Sequence, residues 1–134
     1  MIALLLTGCR GQTPTSTFLD FYQAAYKRDL AALKAGVSSG SITLGEQLAR
    51  TQNLTLDELI AANAPAAGEM DQNPPAIRNE TITNEQATIE IKFADSTRWT
   101  TIPFVRESGK WKIAFDKLIA KGDYRVRDGL KPKP

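Results

Sequence analysis

The sequence predicts an α+β domain: amino-terminal helices packed on a four-stranded antiparallel sheet. Three observations carry that expectation. The first half places aromatic and aliphatic residues at helical spacing. The second half alternates apolar and polar residues at strand spacing. The stretch from Pro103 to Ile113 reads as a β-hairpin closed by Ser108-Gly109, a dipeptide suited to a two-residue turn with positive φ. In that register Glu107 faces Lys110, Arg106 faces Trp111 and Phe104 faces Ile113. One face then carries Ile102, Phe104, Trp111, Ile113 and Phe115.

The chain has 134 residues, enough for one domain with a single core. Its net charge is +2, with basic and acidic residues interleaved, so nucleic acid is not expected as a partner: phosphate binding wants a concentrated basic face. There is no histidine, which removes the commonest general base and metal ligand. The single cysteine allows no intrachain disulfide and no cysteine-based zinc site. No cofactor or metal is expected.

Met1 to Gly8 is an apolar run, and Cys9 follows it. Leu6-Thr7-Gly8-Cys9 resembles the bacterial lipobox: an aliphatic residue, small residues, then a cysteine. That resemblance implies a lipoprotein signal peptide over residues 1–8, acylation of Cys9, and a protein of the bacterial cell envelope held on a membrane by its lipid. The acyl chains would supply membrane affinity at about 0.8 kcal/mol per buried CH₂. The run is short and no Lys or Arg precedes it, which leaves two readings: a true start upstream of Met1, or a truncated leader. Residues 9–13 form a polar tether. No run of about 20 apolar residues occurs, so no transmembrane helix is expected.

The domain proper is expected over residues 14–121. Pro14 suits the first turn of a helix, with Thr13 as N-cap and Thr15 or Ser16 as alternatives. Phe18, Phe21, Tyr22, Ala25 and Tyr26 form one stripe on that helix, the spacing of a core face. Asp29 caps a short second helix, Leu30 to about Ala35, ended by Gly36. Ser38-Ser39-Gly40-Ser41 reads as a break. Leu44 and Leu48 share a face of the next helix, which ends near Thr51. Thr55 and Glu58 have the spacing of a capping box, with Leu54 and Leu59 placed as its hydrophobic staple. That helix stops before Pro65, and Ala66 to Pro75 is a loop.

Four strands follow. Ile77 to Thr83 is the weakest. Ala87, Ile89, Ile91 and Phe93 alternate with Thr88, Glu90 and Lys92 in the clearest one. Arg98 to Glu107 is third, with Pro103 marking an edge or a bulge, and Lys110 to Phe115 is fourth. Short connections make an antiparallel meander, and the first helix is the expected cover of its apolar face. The other face would carry Trp99, Thr101, Val105 and Ala114 with Lys112 and Thr88, a surface suggestive of a homodimer. Residues 122–134 read as a basic mobile tail.

The order of these marks resembles the nuclear-transport-factor-2-like superfamily: Phe21-Tyr22-Gln23-Ala24-Ala25, then Asp29-Leu30, then Gln86-Ala87-Thr88-Ile89-Glu90-Ile91, then Phe104-Val105-Arg106 to Lys110-Trp111-Lys112-Ile113. It is most similar to small bacterial lipoproteins of that superfamily. The resemblance covers roughly Pro14 to Lys121. It implies a cone, a curved sheet wrapped around the first helix with a cavity at its wide end. An apolar small molecule or a protein partner would meet that cavity at Tyr22 and Tyr26, and at Trp99 if a bulge near Pro103 turned it inward.

The alternative is a small-molecule isomerase or hydrolase using the cavity. Members similar to ketosteroid isomerase use a tyrosine on the first helix, but that position falls on Phe21. Asp95 and Arg98 are the only pair spaced to resemble an epoxide-hydrolase arrangement, and they fall at a turn. Asp20 and Glu90 could approach the cavity mouth, but lone carboxylates on amphipathic elements usually face water. No catalytic residue is therefore assigned. The expected function is a non-catalytic binding or interaction module, lipidated at Cys9.

Overall fold

In the computed structural model, the structure describes residues 12–63 and 70–120. The elements run α1 (Pro14–Lys27), α2 (Leu30–Ala35), α3 (Ser39–Thr51), α4 (Leu56–Asn63), β1 (Ala76–Thr83), β2 (Gln86–Lys92), β3 (Thr100–Glu107), β4 (Lys110–Ile113) and α5 (Phe115–Ala120). The strands form one antiparallel sheet in the order β1-β2-β3-β4. The signal peptide, Cys9 and the tail over 122–134 lie outside the described residues.

Local chemistry places the helices. Thr13 caps α1, its hydroxyl accepting from the Ser16 amide while Ser16 Oγ accepts from the Thr13 amide. Pro14 occupies the first turn, where no amide hydrogen is needed. The helix ends at Arg28, which is left-handed at φ 59°. Asp29 then caps α2 by accepting from the Ala32 amide. Thr55 and Glu58 form the expected reciprocal pair at the start of α4. Ser38 to Ser41 is no break: Ser38 is the N-cap of α3, accepting from the Ser41 amide at 3.1 Å, and residues 39–41 are its first turn.

The core lies between α1 and one face of the sheet. Phe18 and Tyr22 from α1 meet Ala87, Ile89, Ile91, Ile102, Phe104, Trp111 and Ile113 from the strands. The hairpin has the expected register, Phe104 opposite Ile113 and Glu107 opposite Lys110, with Ser108 and Gly109 both at positive φ. By alternation the opposite face carries Thr88, Glu90, Thr101, Val105 and Lys112.

Four strand expectations need correction. The clearest strand ends at Lys92, and Phe93 lies outside it, exposed. The fourth strand ends at Ile113. Phe115 reaches the core from the start of α5, where its ring lies 5.4 Å from that of Phe21. Ala114 is fully buried rather than part of an open face.

The bulge is not at Pro103 either. The β2–β3 ladder runs unbroken from Gln86–Val105 to Ile91–Thr100, whereas the β1–β2 register shifts between Arg78 and Thr81. Asn79 is left-handed there, at φ 57°, the conformation that lets an extra residue enter one strand. The bulge aims Asn79 and Glu80 in different directions. Asn79 Nδ2 donates to Glu90, while Glu80 accepts from both the amide and the hydroxyl of Thr15 in the first turn of α1.

Pro103 explains why β4 is short. Val105 and Lys112 are partners, and two residues on, the Ala114 amide donates to the Pro103 carbonyl. The reciprocal bond would need an amide hydrogen on Pro103, which proline lacks. The Ala114 carbonyl is thereby free to accept from the Lys117 amide, and α5 begins.

The outward side of β4 is sealed. Ile113 donates to the Gly36 carbonyl and accepts from the Ser38 amide. Trp111 donates to Gln12 Oε1 at 2.8 Å and accepts from Gln12 Nε2 at 3.3 Å. A side-chain amide thus takes the place of a neighbouring strand's peptide group, and the edge offers no ladder to another chain.

Candidate functional site

The residues predicted to meet a ligand do not share one site. Tyr22 is buried on α1, and its hydroxyl donates to the Asp71 carbonyl at 2.6 Å and reaches the Asn73 carbonyl at 3.3 Å. It ties α1 to the segment leading into β1. Burial pushes its phenol above the ordinary value, and the Asp71 carboxylate and Tyr26 push the same way. Tyr26, one turn further along α1, is 45% exposed.

Trp99 is on the other side of the sheet. No bulge in β3 turns it inward; its ring lies under the Arg78 guanidinium, 3.8 Å from the centroid, with Lys92 Nζ at 5.8 Å. Arg78 Nε also donates to Glu90 Oε1 at 2.8 Å, and Asn79 shares that oxygen. These hydrogen bonds, from Arg78 first and Asn79 second, hold the Glu90 carboxyl below its ordinary range. Glu90 therefore belongs to an exposed side-chain network.

The enzyme candidates are equally dispersed. Asp20 is exposed, Phe21 packs on Phe115, and Asp95 and Arg98 are both exposed. Among the described residues no group of three or more acidic or cysteine side chains could hold a metal ion. No described helix is long and apolar enough to cross a membrane.

The structure does reveal two adjoining recesses that sequence reasoning missed. One, of about 310 Å³, lies between the start of α3 and the β2–β3 strands, with Ser38, Gly40, Glu85, Arg106 and Asp116 in its wall. The other, of about 580 Å³, is lined by Thr81, Thr83, Thr88, Pro103 and Phe104. Gln86 and Lys117 border both.

The protein's own carboxylates occupy the positive end of α3. Glu107 accepts from the Ser39 amide and hydroxyl, and Asp116 accepts from the Ser38 and Ser41 hydroxyls at 3.2 Å. This cluster secures α3 to β3 and α5. Lys117 and Asp116 were not readable as recess residues, because the signal that starts α5 is a missing hydrogen on Pro103, far away in sequence.

Comparison with models of known protein families, with curated proteins and with solved structures gives no match. These surfaces present aromatic rings at Tyr26 and Trp99 and a threonine-rich recess beside Lys117.

Proposed function

We propose that this chain is a non-catalytic binding or interaction module of the bacterial cell envelope, held on a membrane by a lipid on Cys9 and built on a nuclear-transport-factor-2-like cone. One observation carries the reading. The only cysteine of the chain follows Leu6-Thr7-Gly8 at the end of an apolar run, with Thr13, the N-cap of the first helix, four residues beyond it. Acylation there would hold a domain that has no described membrane-spanning helix. The partner, an apolar small molecule or a protein, would meet either Tyr26 on α1 or the ring of Trp99 on the other side of the sheet, rather than Tyr22, whose hydroxyl is committed to Asp71 and Asn73. Pairing of two copies through the sheet would use the Trp99 and Thr101 end of the outer face, since Ala114 is covered.

The test is metabolic labelling of cells with a palmitate analogue. Full-length protein takes up label and Cys9→Ser does not. Equal labelling of both, or of neither, refutes the anchor. Native mass spectrometry of the purified protein then asks for a co-purified ligand or partner.

A further inference from the structure

The anchor proposed above leaves open which way the domain faces, and the geometry of Gln12 constrains it. Its side-chain amide grips both the amide and the carbonyl of Trp111. The amino-terminal tether is therefore fixed to the outward edge of β4, next to the Ser108-Gly109 turn. Cys9 precedes Gln12 by three residues, and three residues of fully extended chain reach about 10 Å. A lipid on Cys9 thus keeps the Gln12–Trp111 clamp within about 10 Å of the bilayer interface, whatever path those residues take.

Two basic residues at this end of the sheet suit an anionic surface. Lys110, beside Trp111, is exposed, and its ammonium has no hydrogen-bonded or ion-paired partner among the described residues. Arg10 lies within the tether itself. Of the nearby carboxylates, Glu107 is drawn to Ser39 and Glu85 toward Arg106, while Glu80 stays on this face, bound to Thr15. Basic groups close to such a surface are attracted to its anionic headgroups.

The opposite end is distant. The 14 residues of α1 carry the chain about 20 Å from Pro14 to Lys27. Lys92 ends β2 at the sheet terminus remote from the hairpin, because Gln86, at the other end, is the residue opposite Val105.

We propose that the clamped edge formed by Gln12, the Lys110–Ile113 strand and the first turn of α1 is the face this domain turns to an anionic bilayer, with Tyr26 and Trp99 directed away from it. The proposal rests on the lipidation reading, but its test does not require acylation in cells. The full chain is coupled through the Cys9 thiol to a maleimide-bearing lipid, in vesicles of phosphatidylcholine and phosphatidylglycerol in equal parts. Lysine acetylation is then read residue by residue by mass spectrometry, against the uncoupled protein. Lys110 is expected to lose reactivity several-fold, while Lys27 and Lys92 keep theirs. Gln12→Ala, which releases the tether from β4, is expected to spread the protection evenly. Unchanged Lys110 reactivity, equal protection of Lys27 or Lys92, or a pattern that Gln12→Ala leaves intact overturns the orientation. A failure of Cys9 to acquire lipid in cells would overturn the anchor and leave this orientation result standing.

Discussion

Removing the Trp111 side chain tests the account of what holds the fold together. Trp111 is 3% exposed and sits in the core with Phe104 and Ile113. Its outer ring face is covered by the Arg106 guanidinium at 4.4 Å. Truncating a buried ring of this size costs about 3–5 kcal/mol, from lost transfer energy and the cavity left behind. The guanidinium loses its stacking partner, a further contribution of about 0.5–1 kcal/mol. A small domain has about 5–15 kcal/mol of stability in all, so Trp111→Ala removes a third or more of it from an average case. The assay is urea unfolding followed by far-ultraviolet circular dichroism, with Trp99 as an independent fluorescent reporter. Trp111→Phe keeps a ring beneath Arg106 and should lose clearly less. A Trp111→Ala midpoint within about 1 kcal/mol of the parent, the ordinary range for point substitutions, would refute the assignment of this side chain to the core.

Other outcomes follow from single contacts. Tyr22→Phe loses the bond to Asp71 at 2.6 Å and should cost about 1 kcal/mol in the same unfolding assay. Because the folded Tyr22 phenol holds its proton to higher pH than the unfolded one, its contribution is complete below the unfolded pKa and declines as pH rises through the interval up to the folded value. Alkaline unfolding titrations should show that decline in the parent and not in Tyr22→Phe. The Glu90 carboxyl has the opposite sign. Its folded pKa is depressed, so its contribution is present above the unfolded pKa and is lost as pH falls through the folded one; Arg78→Ala should move its carbon-13 titration back up toward the ordinary range. A Cβ on Gly40 would meet Asp116 Oδ2 at 2.7 Å, forcing the carboxylate off Ser38 and Ser41. Gly40→Ala should therefore destabilise by about 1 kcal/mol, even though alanine favours a helix.

What could be read from the sequence was what local chemistry decides. The caps at Thr13, Asp29 and Thr55 use partners within three residues, and the Ser108-Gly109 turn sets its own register. The α+β order followed from periodicity, and the antiparallel meander from the short connections between strands. What was missed depends on distant partners. Ser38 to Ser41 looked like a break because serine and glycine suit both loops and first turns; its carboxylate partners, Glu107 and Asp116, come from the far end of the chain. The bulge was expected at the proline, whose effect is instead to end β4, while Asn79 supplies the left-handed residue. Trp99 could not be placed without knowing which strand bulges, so the three aromatic contact candidates were grouped although the sheet separates them. The recesses gave no signal, since Lys117 and Gln86 are ordinary surface residues until α5 passes over the β2–β3 strands.

The Gln12 clamp also has a consequence in time. It joins positions 99 residues apart, so it cannot close until nearly the whole described chain has been delivered. Until then α1 has no complete sheet on which to bury Phe18 and Tyr22, and contacts of such long range form slowly because the loop must close before they contribute. A chain stopped before Lys110 would present that apolar stripe together with a free β3 edge, both invitations to aggregation. The first described residue thus reports on the arrival of the last strand: Gln12 is fastened only once β4 has been made.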